Sequence, residues 1–349
     1  MKPFLFIFVF VFYSVIIMFF SSSISISLNG VLKNSISILY FVIGYSYFST
    51  PDKFKQLSLS LNLFYLILVV NFIISNYFDL GTDAYTESSE FLVGNLDDRW
   101  NVFTYSLLIF PVVLIYRKTS FSKYVSIFLA FICLVILIFS LKRIAIVSLL
   151  VGYCVYGFLN LSIKNVMSFF LVFSFVGLLS FSLFSDVLDN RIEARSDRFD
   201  DGSLEREGRY LESFYVWEEV LEFENLNKSL FGLEAYNSVG NYGDGIFGER
   251  NIHVDYNLIV NTLGIVGLIL YLLIFVSFYF QLRLVSKIIS KVNKFDWKLY
   301  SIFWSLFISQ FITSLGGQMY NITFRLIIFI FLGSILSNLR YSIYLNRLN

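Results

Sequence analysis

The sequence has little of what most soluble enzymes build their sites from. Of its 349 residues, one is histidine, two are cysteine and three are proline. Charged residues make up 15% of the chain and nearly cancel, leaving a formal net charge of +1. Each scarcity excludes something. Cys133 and Cys154 both lie inside apolar segments, so they suggest neither a disulfide framework nor a cysteine-based metal site, and read as small packing residues. A single histidine cannot build a metal site alone. No basic run with interleaved aromatics stands out, so no nucleic acid partner is expected.

What the chain has in abundance is apolar surface: 57% hydrophobic and 20% aromatic residues, with a mean hydropathy of +0.73. No soluble fold could hide that much. A bilayer can, because hydrocarbon solvates the side chains while each helix satisfies its own backbone groups. The expected fold is therefore an all-α polytopic membrane protein. Apolar stretches near the roughly 20 residues needed to cross hydrocarbon fall at about 3–20, 31–49, 57–75, 101–116, 121–140, 143–160, 165–184, 257–280, 299–315 and 321–338. That makes about ten transmembrane helices. Met1-Lys2-Pro3 and the apolar run to Phe20 are followed by no small-x-small cleavage pattern, so they read as an uncleaved first span.

Orientation follows from the Lys/Arg content of alternate connections. With the N-terminus inside, the cytoplasmic connections collect Lys53, Lys55, Arg117, Lys118, Lys164 and the basic run from Arg283 to Lys298, against only Asp52 and Asp296. Both termini are then cytoplasmic. The expected plan is residues 1–184 as helices one to seven, 185–256 as one large external loop, and 257–349 as helices eight to ten with a short tail. The Lys142-Arg143 turn falls on the same face as that loop.

From Asp186 to Asp255 the composition changes to Arg, Glu, Asp, Gly and Asn, the only segment able to form a small water-facing subdomain. Within Leu204–Glu222, the residues Tyr210, Phe214, Trp217 and Leu221 recur at helical spacing and give one apolar stripe. Arg206 and Arg209 are three apart, so their side chains are neighbours on that helix. Two readings fit: an amphipathic helix on the membrane rim with solvated or paired arginines, or clustered guanidiniums gripping a phosphate or diphosphate.

Leu230-Phe231-Gly232 and the Gly-rich run Gly240–Gly248 read as loop with tight turns. His253, three residues before Tyr256, stands where the chain re-enters the membrane. It is either a structural hydrogen-bonding residue or a proton acceptor, histidine being the residue type suited to proton transfer near neutrality. Arg143 stands between two apolar segments with almost no loop around it, and either faces a polar cavity or bound anion or snorkels to the interface. Arg325, near the outer end of the last span, lies in a polar break with Gly316, Gly317, Gln318, Asn321 and Thr323. That break either lines the same cavity or serves helix-end packing.

Set together, these features resemble the O-antigen polymerase and O-antigen ligase superfamily of bacterial polysaccharide assembly. Leu141-Lys142-Arg143 occupies the place of the family's arginine at an outer turn, with Lys142 where a serine is usual. Gly208-Arg209, Trp217 and Leu230-Phe231-Gly232 match the loop's Gly-Arg, tryptophan and Leu-x-Gly turn. His253-Val254-Asp255-Tyr256, then Gly264 and Gly267, match the loop exit His-Asn-x-Tyr followed by Gly-x-x-Gly, with valine in place of asparagine. The resemblance covers roughly residues 140–280.

What the resemblance implies is a metal-independent glycosyltransferase, with no cofactor, on the periplasmic face of the inner membrane. The scattered loop carboxylates still leave room for Ca2+ or Mg2+. Donor and acceptor would be undecaprenyl-diphosphate-linked oligosaccharides within membrane lipid, with a chain-length regulator protein as a further candidate partner. A polymerase adds the growing glycan to the next lipid-linked repeat unit; the alternative is a ligase that moves polymer to lipid A core. A transporter or flippase of the same lipid-linked sugars is the rival from another class. In either enzyme His253, Arg209 and Arg143 are the expected catalytic residues, with Arg206, Arg325, Asp255 and Tyr256 binding diphosphate or sugar. Asp255 and Glu249 are alternative bases.

Overall fold

In a computed structural model, the residues described are 4–78, 80, 143–160, 208–243, 246–248, 250–289, 294–317, 319 and 322–348, with scattered helical positions between 124 and 137 and between 167 and 182. Among the described residues the regular structure is helical throughout, with no strand. In chain order the helices are α1 (Leu5–Phe20), α2 (Ile24–Tyr47), α3 (Pro51–Phe78), α4 (Arg143–Asn160), α5 (Gly208–Leu221), α6 (Leu226–Phe231), α7 (Asp255–Ser286), α8 (Lys294–Thr313) and α9 (Ile322–Leu348), with a 3-10 turn at Ser314–Gly316. Six of them, α2, α3, α4, α7, α8 extended by the 3-10 turn, and α9, are long and apolar enough to cross a membrane. The chain is thus a helical membrane protein in its broad design. α1 is apolar but shorter, at 16 residues. The expected span at 101–116 lies outside the described residues, and those at 121–140 and 165–184 are described only at scattered positions.

The chain divides into two compact units. The first gathers Met1–Ser46, Ser203–Ile288 and Thr313–Gly333. Its α1 is apolar on every side, with Phe8, Phe12, Phe19 and Phe20 exposed, the pattern of a helix solvated by lipid. Hydroxyls in such a helix need internal partners, and Ser14 Oγ accordingly donates to the Phe10 carbonyl at 3.0 Å. Aromatic rings join the helices: Phe41 of α2 stacks on Phe278 of α7 at 4.4 Å, and Phe10 of α1 meets Tyr271 of α7 at 5.5 Å.

α7 is not one continuous rod. Gly264 has φ 68 and ψ −178, which interrupts the helix, and a Cβ there would lie 2.3 Å from the Leu230 carbonyl oxygen. Gly232, which closes α6 with φ 71, lies as tightly against the Thr262 carbonyl. The Leu-Phe-Gly turn and the Gly-x-x-Gly run of the sequence are therefore two halves of one interlock. The interruption frees the Leu263 carbonyl, and the Tyr13 hydroxyl, 2.8 Å away, donates to it while also lying 3.0 Å from the Phe231 carbonyl.

The second unit gathers Tyr47–Gly202, Ile289–Ile312 and Ser334–Asn349. Here α4 and α8 exchange two hydrogen bonds, Ser148 Oγ to the Ser309 carbonyl at 2.9 Å and Ser309 Oγ to the Ser148 carbonyl at 3.1 Å. Small hydroxyl residues at a helix contact allow this close approach within a membrane. Trp297 Nε1 donates to the Leu159 carbonyl at 2.6 Å, and Ser334 Oγ and Asn338 Nδ2 both donate to the Phe48 carbonyl.

Candidate functional site

The polar chemistry of the first unit centres on Glu212. Its side chain is fully buried on α5, where an ionised carboxylate persists only if it is surrounded by donors. It is. Oε1 accepts the His253 N–H at 2.7 Å and the Val254 N–H at 3.2 Å, while Oε2 lies 3.2 Å from His253 Nδ1 and 3.5 Å from Arg250 Nη2. The two backbone donors are at the start of α7, whose N-terminal end favours a negative charge. Burial pushes the Glu212 carboxyl up, but the hydrogen bonds from the His253 ring, the His253 N–H and the Val254 N–H, together with the His253 charge, hold it below the ordinary carboxylate range.

That anchoring decides what the imidazole can do. Nδ1 stands 3.2 Å from Glu212 Oε2 and 3.3 Å from Arg250 Nε. A proton on Nδ1 serves the Glu212 carboxylate and leaves Nε2 with a lone pair, whereas a lone pair on Nδ1 accepts the Arg250 Nε–H, so the two contacts belong to different tautomers. The His253 side chain is 43% exposed and Arg250 35%, whereas Glu212 is fully enclosed. The carboxylate is therefore a positioning group and the imidazole the one a ligand can reach. Gly317, φ 81, lies behind His253: a Cβ at that position would fall 1.8 Å from the His253 carbonyl oxygen. Gly317 thus packs against the loop exit, and the Met319 N–H donates to Asp255 Oδ1 at 2.7 Å.

α5 is fixed to α7 along the same seam. Trp217 Nε1 donates to Asn257 Oδ1 at 3.1 Å, Asn257 Nδ2 donates to Ser213 Oγ at 2.8 Å, and Val216 and Val220 are buried beside them. Of the stripe expected from the sequence, Tyr210, Phe214 and Leu221 are all at least half exposed. Only Trp217 joins the seam. Arg209 is exposed, one turn before Glu212 and on the same side of α5. Below Glu212 the Gly-rich loop folds its rings together, Tyr242 stacking on Phe247 at 5.0 Å, Phe247 meeting Tyr215 at 5.9 Å, and the Arg250 guanidinium standing 5.9 Å over Phe247. Burial, with the Glu212 charge, pushes the Tyr242 hydroxyl up to about 12.

The other expected site residues are distributed as follows. Asp255 is buried and engaged with Met319, which suits a structural acceptor more than a base. Tyr256 packs edge-on against Tyr271 at 6.4 Å. Arg325 is completely buried; its Nη1 donates to Asn34 Oδ1, Nε and Nη2 have no hydrogen-bond partner, and its charge is felt by the Tyr236 and Tyr271 hydroxyls. No carboxylate among the described residues pairs with it. Arg143 is exposed at the first residue of α4, in the second unit. Arg206, Glu249, Gln318 and Asn321 lie outside the described residues.

Sequence reasoning missed Glu212 and Arg250. Nothing in spacing links Glu212 to a histidine 41 positions away. Arg250, three residues before His253, carried the better signal, since the two meet in one loop turn. Comparison with protein-family models finds no match, and comparison with curated proteins finds none either.

Proposed function

We propose that the chain is a membrane glycosyltransferase of surface-polysaccharide assembly, an O-antigen polymerase or an enzyme of the same kind. It would cross the inner membrane about ten times, with both termini cytoplasmic and residues 185–256 forming a periplasmic loop. The observation that carries this reading is the pairing of buried Glu212 with the half-exposed His253, with Arg250 in contact with both and exposed Arg209 one turn before Glu212 on α5. A carboxylate that orients an imidazole, beside guanidiniums suited to phosphate oxygens, fits a reaction that needs one base and one anionic leaving group.

In the proposed reaction an acceptor sugar hydroxyl attacks the anomeric carbon of a glycan carried on undecaprenyl diphosphate. The new glycosidic bond forms as the bond from that carbon to the diphosphate oxygen breaks. The electron pair departs with the diphosphate, and the acceptor's proton passes to His253 Nε2. Arg209, with Arg250, stabilises the charge that gathers on the leaving diphosphate. The membrane holds both carriers, so donor and acceptor approach from the lipid side.

The test is to delete the chromosomal copy and follow lipopolysaccharide ladders on complementation. Core plus a single repeat unit in the deletion strain supports the polymerase; core alone, with polymer left on the carrier, points to the ligase. Normal ladders with His253→Ala and Arg209→Ala at normal protein levels end the site assignment.

A second reading has its own support. An interrupted α7 and a buried arginine on α9 are features that transporters place near the middle of the membrane. Movement of lipid-linked sugar across vesicles without glycan elongation would favour it over the transferase.

A further inference from the structure

We infer that the segment from Phe223 to Leu233, with α6 at its centre, is a re-entrant hairpin whose exposed apolar side chains contact the acyl chains of the leaflet in which α1 ends. This stands independently of the proposed chemistry.

Depth can be read from two separate contacts. The Phe231 carbonyl lies 3.0 Å from the Tyr13 hydroxyl, and Tyr13 precedes the C-terminal end of α1 by seven residues, or roughly 10 Å along the axis. Side chains on a helix lean toward its N-terminus, so the hydroxyl reaches no nearer to that end than its own Cα. Independently, Gly232 and Leu230 interlock with Thr262 and Gly264, about two turns into α7 from Asp255, again on the order of 12 Å. The chain then climbs back within a few residues, since the Ala235 N–H donates to Ser21 Oγ at 3.0 Å and the Ser22 N–H donates to Glu234 Oε1 at 2.9 Å. Both of those contacts lie just past the end of α1.

At that depth α1 itself exposes Phe12, Ile16, Phe19 and Phe20, the face already assigned to lipid. The hairpin continues this surface with Phe231 at 45%, Leu233 at 38%, Leu226 at 57% and Phe223 at 42% exposure. Asn225 caps the N-terminus of α6 by accepting the Lys228 N–H at 3.2 Å, and Lys228 pairs with Glu219 of α5 and donates to the Asn241 carbonyl, which Asn261 of α7 also approaches at 3.5 Å. Both ends of α6 thus expose an apolar side chain, Leu226 and Phe231, with exposed Asn225 and Asn227 beside Leu226. On α5 the exposed Tyr210, Phe214 and Leu221 share one stripe, with exposed Glu218 one turn after Phe214 and about 40° round the axis from it.

The experiment is spin-label accessibility on the full chain in phospholipid vesicles, with Cys133→Ser and Cys154→Ser as background. Single cysteines at Glu222, Leu226, Phe231 and Leu233 are labelled one at a time in chains that elute as a single species. Collisions with a water-soluble nickel chelate should fall several-fold from Glu222 through Leu226 to Phe231 and Leu233, while collisions with oxygen rise. Nickel access at both Phe231 and Leu233 equal to that at Glu222 would overturn the inference by placing the hairpin in water. Closure of both to both reagents would overturn it too, because protein, a second copy included, would then cover the surface.

Discussion

The Glu212 carboxylate accepts the His253 N–H at 2.7 Å and stands 3.2 Å from the Nδ1 of the same residue, so one buried acid fixes both the backbone and the ring of the only histidine in the chain. Two roles follow. The contact to the backbone stabilises the start of α7, and the contact to the ring orients the part-exposed imidazole. Loss of the ring should therefore affect transfer with little effect on folding, and loss of the acid should affect both. His253→Ala should lower the rate of glycan elongation by about 10²-fold or more, the usual contribution of a positioned base. Its thermal midpoint should change by less than that of Glu212→Ala, which leaves two buried N–H groups unpaired at a cost of about 1–3 kcal/mol each. Elongation assays and thermal unfolding in detergent check both.

Glu212 also predicts an acid dependence with a definite sign. Its carboxyl is held below the ordinary range in the folded chain, so it contributes stability above the unfolded value and loses it as pH falls through the folded one. The stability difference between the parent chain and Glu212→Gln should therefore be full near neutrality and shrink as pH falls below the ordinary carboxylate range. A difference that is constant down to strongly acid pH would contradict the buried ionised form. Unfolding midpoints of the two chains measured across pH decide it.

Arg325 is a buried cation with one hydrogen bond and no acidic partner among the described residues. Burying such a charge costs folding free energy, and an apolar side chain of similar length should recover part of it. Arg325→Met is expected to leave the thermal midpoint unchanged or raised. Asn34→Ala removes its hydrogen-bond acceptor and should destabilise by about 1.5–3 kcal/mol. Thermal unfolding of the two variants tests this opposite behaviour.

The interlock at Gly264 makes a backbone prediction. Alanine there meets both a left-handed φ and the Leu230 carbonyl at 2.3 Å, so Gly264→Ala should cost more than the roughly 1–2 kcal/mol of the conformation alone. Tyr13→Phe, which removes the donor from the Leu263 carbonyl, should cost about 1–3 kcal/mol. Midpoints of unfolding in the same detergent give both values.

Arg209 separates two ways of meeting an anion. If it grips phosphate oxygens with two parallel N–H groups, Arg209→Lys should lose most of the activity lost in Arg209→Ala. If it supplies charge alone, lysine should restore it. Elongation rates of the two variants at equal protein level make the comparison.

Hydropathy made the helical membrane class legible, six helices among the described residues being long and apolar enough to cross a bilayer, because a helix in hydrocarbon must be apolar over its length whatever it packs against. It could not reveal the interruption of α7: Gly264 and Gly267 read as a motif, but the partner that requires a glycine, the Leu230 carbonyl, belongs to a segment more than thirty residues earlier. The stripe of Tyr210, Phe214 and Leu221 was legible as a stripe, and its direction was not. Periodicity reports that one face differs from another, while the buried face of α5 is drawn by Val216, Val220 and an acid that hydrophobicity counts as surface. His253 and Arg209 stood out in sequence as rare or clustered residues. Glu212 did not, since what distinguishes it is burial among donors from a distant part of the chain.

The most direct test is elongation by the purified chain in phospholipid vesicles supplied with undecaprenyl-diphosphate-linked oligosaccharide. The account predicts longer lipid-linked glycan and release of undecaprenyl diphosphate by the parent chain, both lost in His253→Ala and in Arg209→Ala at an unchanged folded fraction. No elongation by a folded parent chain given its own repeat unit, or undiminished elongation by both variants, would contradict it.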